Sequence, residues 1–386
     1  MRRLEYALLT LALAAAPMLI QADAIEALLA EAQASNSSGL VVIRDGEVLI
    51  DWVAEQEGEP IETMSVTKSI VALGVARLLT TGELASLDTP LAEIFPEWRQ
   101  GRKVDVTVRH LLNHTSGLQN HPNAGAEIYP RPDFVQLALA AELDHAPGSH
   151  YAYNNKATNL IAGLFPPLTG SDMAEYLGRE LFVPLGIEHW GWYRDAAGNP
   201  AGMAGLQLHP RDLARFGQLV LDGGRIGEQQ LIDEDVLAAI MAPGSPHEDL
   251  LGLLWWREPA WQRRFIDEQS KAAMLEAGVD AAFVARLNDA AGSYDSLAEL
   301  QQALRQVLGE DWRDQFSEHV APHGVSMSRR EASEEIVAWY GDGYLGQYLV
   351  VVPATRTAGV RMIRHFDGVG PEQQFTEFRR RIVDLE

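Results

Sequence analysis

The sequence predicts an α+β fold in which one antiparallel sheet is flanked by helices and carries an inserted helical domain. Apolar runs bounded by turn residues predict strands near both ends of the chain, and helix start signals fill the middle. A chain of 386 residues with 47% hydrophobic content can bury a large core. We therefore expect strands from both ends to share one sheet, with helices inserted between them.

A strand pair is predicted near each end of the chain. Leu40–Ile43 and Glu47–Val53 are joined by Asp45-Gly46, a dipeptide typical of two-residue hairpin turns. Gln347–Val352 and Thr357–Ile363 are a second pair of apolar runs with a short turn between them. Because strands joined by short turns are antiparallel, the sheet is expected to be antiparallel.

Helices are predicted where a Ser, Thr, Asp or Pro precedes apolar residues at helical spacing. Segments with such a start are Thr107–Leu112, Phe134–Leu143, Ser171–Leu177 and Pro210–Leu221. A final amphipathic helix is predicted from Pro371 to Val383, because Phe375, Phe378 and Ile382 share one helical face.

A segment from about residue 257 to 335 differs in composition from the rest. It is rich in Ala, Glu, Gln and Arg and contains helical runs such as Ala281–Leu287 and Leu297–Leu308. It separates two core-like segments, Leu250–Trp256 and Trp339–Pro353. We predict a helical cap that is inserted into one domain of residues 25–386 and lies over a site.

The first 24 residues have the features of a signal peptide. Arg2 and Arg3 precede an apolar run from Tyr6 to Ile20, and Ala22-Asp23-Ala24 has the small-x-small form of a cleavage site. The run is too short and too rich in alanine for stable membrane insertion. We expect an exported protein, periplasmic or secreted; an ordinary N-terminal helix is the alternative. The chain has no cysteine, so core packing alone must stabilise it.

The net charge of −23 limits the partners of this chain. Nucleic acid and anionic membrane surfaces would be repelled, so neither is expected as a partner. Charge and composition leave the oligomeric state open.

Ser65 and Lys68 form the first candidate catalytic pair. They stand at the start of an apolar run that is predicted to be helical, and residues three apart share one helix face. The amine can therefore reach the hydroxyl. A nucleophile beside a base, at the positive end of a helix dipole, is what acyl transfer through a covalent intermediate requires.

Tyr153 and Asn155 are the second candidate pair. They follow Pro147-Gly148, and the Asn154-Asn155 dipeptide is also turn-forming, so we predict that both side chains lie on a loop. A phenol whose pKa is lowered by a nearby lysine could relay a proton. Asn155 could hold a substrate amide and fix the lysine.

These motifs resemble those of serine hydrolases of the β-lactamase-related family, which includes class C β-lactamases, D-alanyl-D-alanine carboxypeptidases and family VIII esterases. The resemblance covers roughly residues 39–256 and 339–364. Its motifs are Ser65-x-x-Lys68, Thr107 to Leu118 with His-Thr-Ser-Gly-Leu, Pro147-Gly148, Tyr153-x-Asn155 and Arg211 to Gly217. The family implies a β-lactamase/transpeptidase-like fold, a cleft site, an acyl-enzyme intermediate, and no metal or cofactor.

The resemblance also implies residue roles. Ser65 is the nucleophile, Lys68 and Tyr153 share the proton transfers, and Asn155 positions the substrate. Which of Lys68 and Tyr153 is the base stays open, because coupled groups titrate as a unit. The oxyanion hole is expected to combine the Ser65 amide with an amide of Gly343–Gly346. Gly343 and Tyr344 are therefore included among the substrate-binding candidates.

The third family motif departs from the pattern. Family members carry Lys-Thr-Gly or His-x-Gly before the C-terminal strand. This chain lacks that cationic residue, and Asp342 stands near the position where it is expected. That cation meets a substrate carboxylate, so its loss favours small neutral esters or amides. A lactam-cleaving or D-alanyl-D-alanine-cleaving enzyme, or a penicillin-binding sensor without turnover, is the alternative. Arginines of the inserted segment could replace the cation: Arg257, Arg263, Arg264, Arg329 and Arg330.

A metal site at the histidines is not expected. His110 and His114 lie four residues apart, with His121 further on, but no glutamate stands between them as in zinc proteases. They fall inside a motif matched to the family, so a structural role near the cleft is the prediction.

Overall fold

The computed structural model describes residues 23–54, 58–121, 123–364 and 375–385. The chain divides into two compact units, Met1–Glu258 with Val337–Glu386, and Pro259–Ile336. The signal peptide predicted for residues 1–24 falls almost entirely outside the described residues. Within the described part, no helix combines the length and apolarity that crossing a bilayer requires.

The strands and helices are numbered along the chain. The strands are β1 (Gly39–Arg44), β2 (Glu47–Val53), β3 (Ile61–Glu62), β4 (Gly191–Trp192), β5 (Leu206–Leu208), β6 (Arg225–Ile226), β7 (Gln229–Gln230), β8 (Trp256–Pro259), β9 (Gln262–Ile266), β10 (Gly292–Tyr294), β11 (Arg329–Ala332), β12 (Ile336–Gly343), β13 (Gln347–Val352) and β14 (Thr357–Met362). The helices are α1 (residues 23–34), α2 (Val66–Thr81), α3 (Leu91–Ile94), α4 (Val108–Leu112), α5 (Ala124–Glu127), α6 (Phe134–Ala140), α7 (Asn155–Ala162), α8 (Phe165–Thr169), α9 (Met173–Leu177), α10 (Pro210–Leu221), α11 (Glu234–Met241), α12 (Glu268–Glu276), α13 (Ala281–Arg286), α14 (Leu297–Leu308), α15 (Trp312–His319) and α16 (Phe378–Val383).

The main sheet of the first unit has the strand order β2-β1-β14-β13-β12-β8. β1 pairs antiparallel with β2 and with β14, so Gly39 lies opposite both Val53 and Met362. β13 pairs antiparallel with β14 and β12. Strands from both ends of the chain thus share one sheet, as predicted.

The two faces of this sheet bury two separate clusters, because side chains alternate along a strand. Val41 of β1 belongs to the larger cluster, which also contains residues of α2 and α10. Leu40 and Val42 point to the other face and pack with residues of α1 and α16, including Phe378 and Ile382. The sheet is therefore a layer between helices, which is the arrangement expected of an α+β fold.

Helix α2 is buried along most of its length. A helix that is apolar around its whole circumference belongs in a core, and here it brings its first turn against strand β12. Gly341 makes this contact possible, since a Cβ there would stand 2.9 Å from Ser69 Oγ and from Val66 Cγ1. The end of β12 is thereby placed beside the start of α2.

The second unit has its own core and is not purely helical. Strands β10, β9 and β11 form a three-stranded antiparallel sheet. The core joins Ile266 of β9 to helix residues such as Met274, Phe283 and Leu304. The sequence indicated the helices of this segment but not its sheet, because Gln262–Ile266 is too polar to read as a strand by composition. Its function as a cap stays a prediction.

The C-terminal helix is shorter than predicted. In the described residues it begins at Phe378, and Phe375 has a φ of 47°, which no helix residue adopts. Residues 371–374 lie outside the described part. Of the three residues predicted to share one helical face, Phe378 and Ile382 are fully buried, whereas Phe375 is half-buried and precedes the helix.

Candidate active site

Ser65 stands at the N-terminus of α2 with a hydroxyl that does not cap the helix. The side-chain oxygen of a serine in this position usually accepts a hydrogen bond from a backbone amide in the first turn of the helix. Here the side chain makes no such bond. The preceding residue, Met64, has a φ of 48°, so the chain turns sharply into the helix. The hydroxyl oxygen is left to interact with two other side chains.

Lys68 lies one turn further along α2 and is only 3% exposed. Its Nζ donates to Ser65 Oγ at 3.0 Å and to the carbonyl oxygen of Met203 at 2.6 Å. Burial lowers the pKa of Lys68, although the nearby Tyr153 opposes this shift. A lysine in this environment is more readily neutral than an exposed one, and a neutral amine can accept a proton.

Tyr153 completes the cluster from a distant part of the chain. Its hydroxyl donates to Ser65 Oγ at 3.1 Å, and Lys68 Nζ lies 5.0 Å from the centre of its ring. Asn120 holds the loop by donating from Nδ2 to the carbonyl oxygen of Tyr153 at 2.9 Å. The amine of Lys68 and the phenol of Tyr153 therefore both contact the hydroxyl oxygen of Ser65. The structure brings together the three groups that were singled out in the sequence.

His114 packs against Tyr153 and holds its loop. The two rings lie 4.6 Å apart, and His114 Nδ1 accepts a hydrogen bond from the backbone amide of Asn154 at 3.2 Å. The carbonyl oxygen of His114 accepts the amide of Ala152 at 2.9 Å. Burial, helped by the Lys68 charge, lowers the pKa of His114 to about 3. The ring is thus neutral at ordinary pH.

Asn155 differs from its prediction. It is the first residue of α7 rather than a loop residue, because Asn154 caps that helix by accepting the amide of Ala157 at 3.0 Å. Asn155 is not among the residues that line the cavity described below. Its role in positioning the substrate stays a prediction.

Gly343 and Tyr344 lie at the turn after β12. A Cβ on Gly343 would stand 2.7 Å from the carbonyl oxygen of Thr63, so this strand end approaches the segment that leads to Ser65. Tyr344 is 63% exposed, and neither residue lines the cavity. The predicted oxyanion amide in this turn stays a prediction.

A small cavity adjoins the cluster. Its lining residues all belong to the first unit: Ser65, Lys68, Ser69, His114, Tyr153, Leu254, Trp256 and Asp342. Sequence reasoning missed Leu254, which has a φ of 61°, and Ser69, whose hydroxyl donates to the carbonyl oxygen of Leu254 at 2.8 Å. In the described residues no group of three or more His, Cys, Asp or Glu side chains is arranged to hold a metal.

Asp342 lines the cavity and is linked to an arginine that the sequence did not indicate. Arg379 of α16 contacts Asp342 Oδ2 through Nη1 at 3.5 Å and lies 3.7 Å from Glu258 Oε2 through Nε. Burial raises the pKa of Asp342, against the effect of Arg379 and with that of Glu258. None of the five arginines suggested as replacement cations lines the cavity. Only the three-dimensional packing of α16 against β12 reveals Arg379.

Comparisons with known proteins identify the relatives of this chain. A family model described as Beta-lactamase matches residues 22–382. An esterase, EstB of Burkholderia gladioli, is 35% identical over an alignment of 181 residues, which covers 39% of this chain and 46% of the esterase. A D-aminopeptidase of Brucella canis is 29% identical over 165 residues, 39% of this chain and 31% of that enzyme. This chain therefore matches less than half the length of either relative.

The fold also matches solved structures. A penicillin-binding protein homologue from Caulobacter crescentus superposes with a TM-score of 0.61 at 17% identity, covering 95% of this chain and 96% of that one. At this identity the likeness concerns the fold alone. It confirms the predicted β-lactamase/transpeptidase-like architecture.

Proposed function

Because this chain belongs to the β-lactamase family, we propose that it hydrolyses a small ester or amide through an acyl-enzyme on Ser65, with Lys68 and Tyr153 as proton-transfer partners. One observation supports this most strongly. Lys68 Nζ and the Tyr153 hydroxyl both contact Ser65 Oγ, at 3.0 and 3.1 Å. A nucleophile flanked by two proton-transfer groups is the arrangement that covalent acyl transfer uses.

In the proposed acylation, Ser65 Oγ attacks the carbonyl carbon of the substrate and its proton passes to the Lys68–Tyr153 pair. The pair then gives a proton to the leaving alcohol or amine as the carbon–oxygen or carbon–nitrogen bond breaks. Water repeats the sequence on the acyl-enzyme and releases the acid. The lowered pKa of Lys68 supports its part as a base, and the pair acts as one unit in these steps.

The oxyanion would be held at the N-terminus of α2. We place one donor at the Ser65 amide and a second at the Gly343–Gly346 turn, where Gly343 allows the close approach to Thr63. Donors fixed before the reaction stabilise the developing charge without reorganising. The positive end of the helix dipole adds to this effect.

The lining of the cavity supports a substrate with an apolar part. Leu254 and Trp256 give the cavity an apolar wall, and Ser65, Lys68 and Tyr153 give it polar groups. The names of the relatives, an esterase and a D-aminopeptidase, support esters and amides as the two bond types. Lactam cleavage and D-alanyl-D-alanine cleavage are the rival reactions for the same machinery.

Replacing the nucleophile tests the proposal. Ser65→Ala should abolish hydrolysis of p-nitrophenyl acetate, and intact-mass spectrometry should show no acyl adduct. Ser69→Ala is the matched control, because Ser69 lines the same cavity but donates to a backbone carbonyl. Full activity in Ser65→Ala would overturn the assignment.

A substrate comparison separates the rival activities. The purified protein is given p-nitrophenyl acetate, nitrocefin and a D-Ala-D-Ala peptide under the same conditions. Faster turnover of the ester supports the proposal, whereas faster turnover of nitrocefin or the peptide supports a lactamase or a carboxypeptidase. A stable adduct without product release indicates a sensor.

We also propose that the protein is exported, on the basis of the arginines and the apolar run in its first 24 residues. N-terminal sequencing of protein recovered outside the cytoplasm tests this. A mature chain that starts near residue 25 supports export, and an uncleaved chain found only in the cytoplasm contradicts it.

A further inference from the structure

Asp342 is the acidic side chain among the cavity-lining residues. Its side chain is partly buried but keeps 39% of its surface exposed, so a bound molecule can reach it. Lys68 and Tyr153, which contact Ser65, also line the cavity. The other lining side chains are Ser69, Leu254, Trp256 and His114, and His114 is neutral because its pKa is about 3. A substrate bound to Ser65 therefore shares its cavity with a carboxyl group.

The ion pair of Asp342 inside the protein is incomplete. Its contact with Arg379 is 3.5 Å long, whereas a tight charge-assisted hydrogen bond is about 2.8 Å. Arg379 also lies 3.7 Å from Glu258, whose side chain is only 9% exposed and whose Oε2 has no hydrogen-bond partner within the described structure. One guanidinium thus lies between two carboxyl groups, and a further positive charge beside Asp342 would be stabilised.

The aromatic wall next to Asp342 favours the same kind of ligand. The Trp256 indole lines the cavity and stacks with Tyr340 at 6.4 Å between ring centres. The guanidinium of Arg379 already lies 4.3 Å from the centre of the Tyr340 ring. Aromatic faces attract cations, and the face of tryptophan attracts them most strongly. The whole chain, with a net charge of −23, also draws cations from solution.

We infer that Asp342 is a specificity-determining residue that pairs with a protonated amine on the acyl part of the substrate. This inference rests on the proposed hydrolase function. The acyl part is the one that remains on Ser65 after the first step, so its charge faces Asp342 during both acylation and release. The preferred substrates are then small esters or amides of amino acids, and acyl groups with a carboxylate are disfavoured.

Three ethyl esters of similar length and different charge test this in the wild-type protein. They are β-alanine ethyl ester, ethyl butyrate and monoethyl succinate, whose acyl chains end in an ammonium, a methyl and a carboxylate. We expect kcat/KM to be higher for the ammonium ester than for ethyl butyrate by roughly tenfold or more, the usual effect of one charged hydrogen bond. Monoethyl succinate should be the poorest substrate. An equal or reversed order overturns the inference.

The Asp342→Asn variant tests which residue is responsible. The substitution keeps the shape of the side chain and removes its charge, so within this variant the ratio of kcat/KM for β-alanine ethyl ester to kcat/KM for ethyl butyrate should fall to about one. Asp45→Asn is the control for overall charge, since Asp45 is exposed in the β1–β2 turn and does not line the cavity. If Asp45→Asn removes the preference equally, long-range attraction explains it and Asp342 does not.

Binding without turnover separates failure of this inference from failure of the proposed function. NMR titration of the Ser65→Ala protein with β-alaninamide and butyramide measures the charge preference directly. Cleavage of ethyl butyrate with no preference for the amine, in rates or in binding, overturns the inference and leaves the hydrolase proposal intact. If no ester is cleaved, the hydrolase proposal fails, and the titration still decides whether Asp342 binds an amine.

Discussion

Two walls of the same cavity are built in different ways. Ser65 and Lys68 lie one helical turn apart on α2, so three residues of sequence fix their distance. Asp342 and Arg379 come from β12 and α16, and meet only because α16 packs on the sheet to which β12 belongs. The reactive wall is thus encoded locally, whereas the charge of the other wall depends on the packing of distant segments. Changes to the first should abolish chemistry, and changes to the second should alter stability and substrate choice.

The largest expected effect is on the local wall. Lys68→Ala should slow acylation by p-nitrophenyl acetate by about 10³-fold or more, because the pair that accepts the serine proton is broken. Tyr153→Phe should have an effect of the same order. Stopped-flow measurement of p-nitrophenol release gives the rates.

Lys103→Ala is the control for loss of a lysine. Lys103 donates to the carbonyl oxygen of Leu139 and does not line the cavity. Its removal should leave acylation unchanged. A Lys68→Ala protein that acylates as fast as the wild type would show that the reactive wall does not need its amine.

Substitutions in the wall formed by Asp342 and Arg379 should mainly change the stability of the protein. Arg379→Met should lower the free energy of unfolding by about 3 kcal/mol near neutral pH, because it leaves two carboxyl groups without their shared cation. Burial already raises the pKa of Glu258 and of Asp342. The native state of the variant therefore holds protons that the unfolded state releases, so its stability should fall as the pH rises and recover in mild acid.

Arg381→Met is the matched control for that measurement. Arg381 also belongs to α16 and pairs with Glu31 on the exposed surface. Its loss should cost less than about 1 kcal/mol. Urea unfolding of both variants across a pH series makes the comparison. Equal losses for the two arginines would mean that the Asp342–Arg379 link contributes nothing special.

The smallest effect is expected for His114, which packs against the proposed catalytic residue Tyr153 and holds its loop. His114→Leu should lower kcat/KM by about 10- to 100-fold, since the amide of Asn154 loses its acceptor and the Tyr153 loop shifts. His114→Asn should restore part of the loss, because an amide oxygen can accept the same bond. With a His114 pKa near 3, the wild-type pH–rate profile between pH 5 and 8 should contain no step from this histidine.

His114→Leu and Tyr153→Phe should be distinguishable by their kinetics. A positioning residue leaves the shape of the pH–rate profile unchanged, whereas loss of the phenol changes it. If His114→Leu alters the shape, the ring takes part in proton transfer itself.

The sequence predicted the elements whose signals are local. Asp45-Gly46 indicated the first hairpin, and Thr107 does cap α4 by accepting the amide of His110. Ser65 and Lys68 could be paired because a helix repeats every 3.6 residues. Such features need no knowledge of the rest of the molecule.

Features that depend on distant contacts were missed or misplaced. Arg379 reaches Asp342 only through the position of α16 on the sheet, and Leu254 lines the cavity from a left-handed backbone conformation. Asn155 was predicted in a loop because Asn-Asn is turn-forming, yet Asn154 alone ends the loop and starts α7. In each case the deciding partner lies outside the window that a local pattern covers.

The pairing of Gly39 with Met362 has a consequence for biosynthesis. Strand β1 leaves the ribosome long before β14 has been synthesised. The backbone groups on the edge of β1 that pairs with β14 therefore stay unpaired until nearly the whole polypeptide has been made. Contacts between such remote partners slow folding, and an unpaired edge invites association with other chains in the meantime. Newly made molecules thus need protection from one another until the last strand of the sheet arrives.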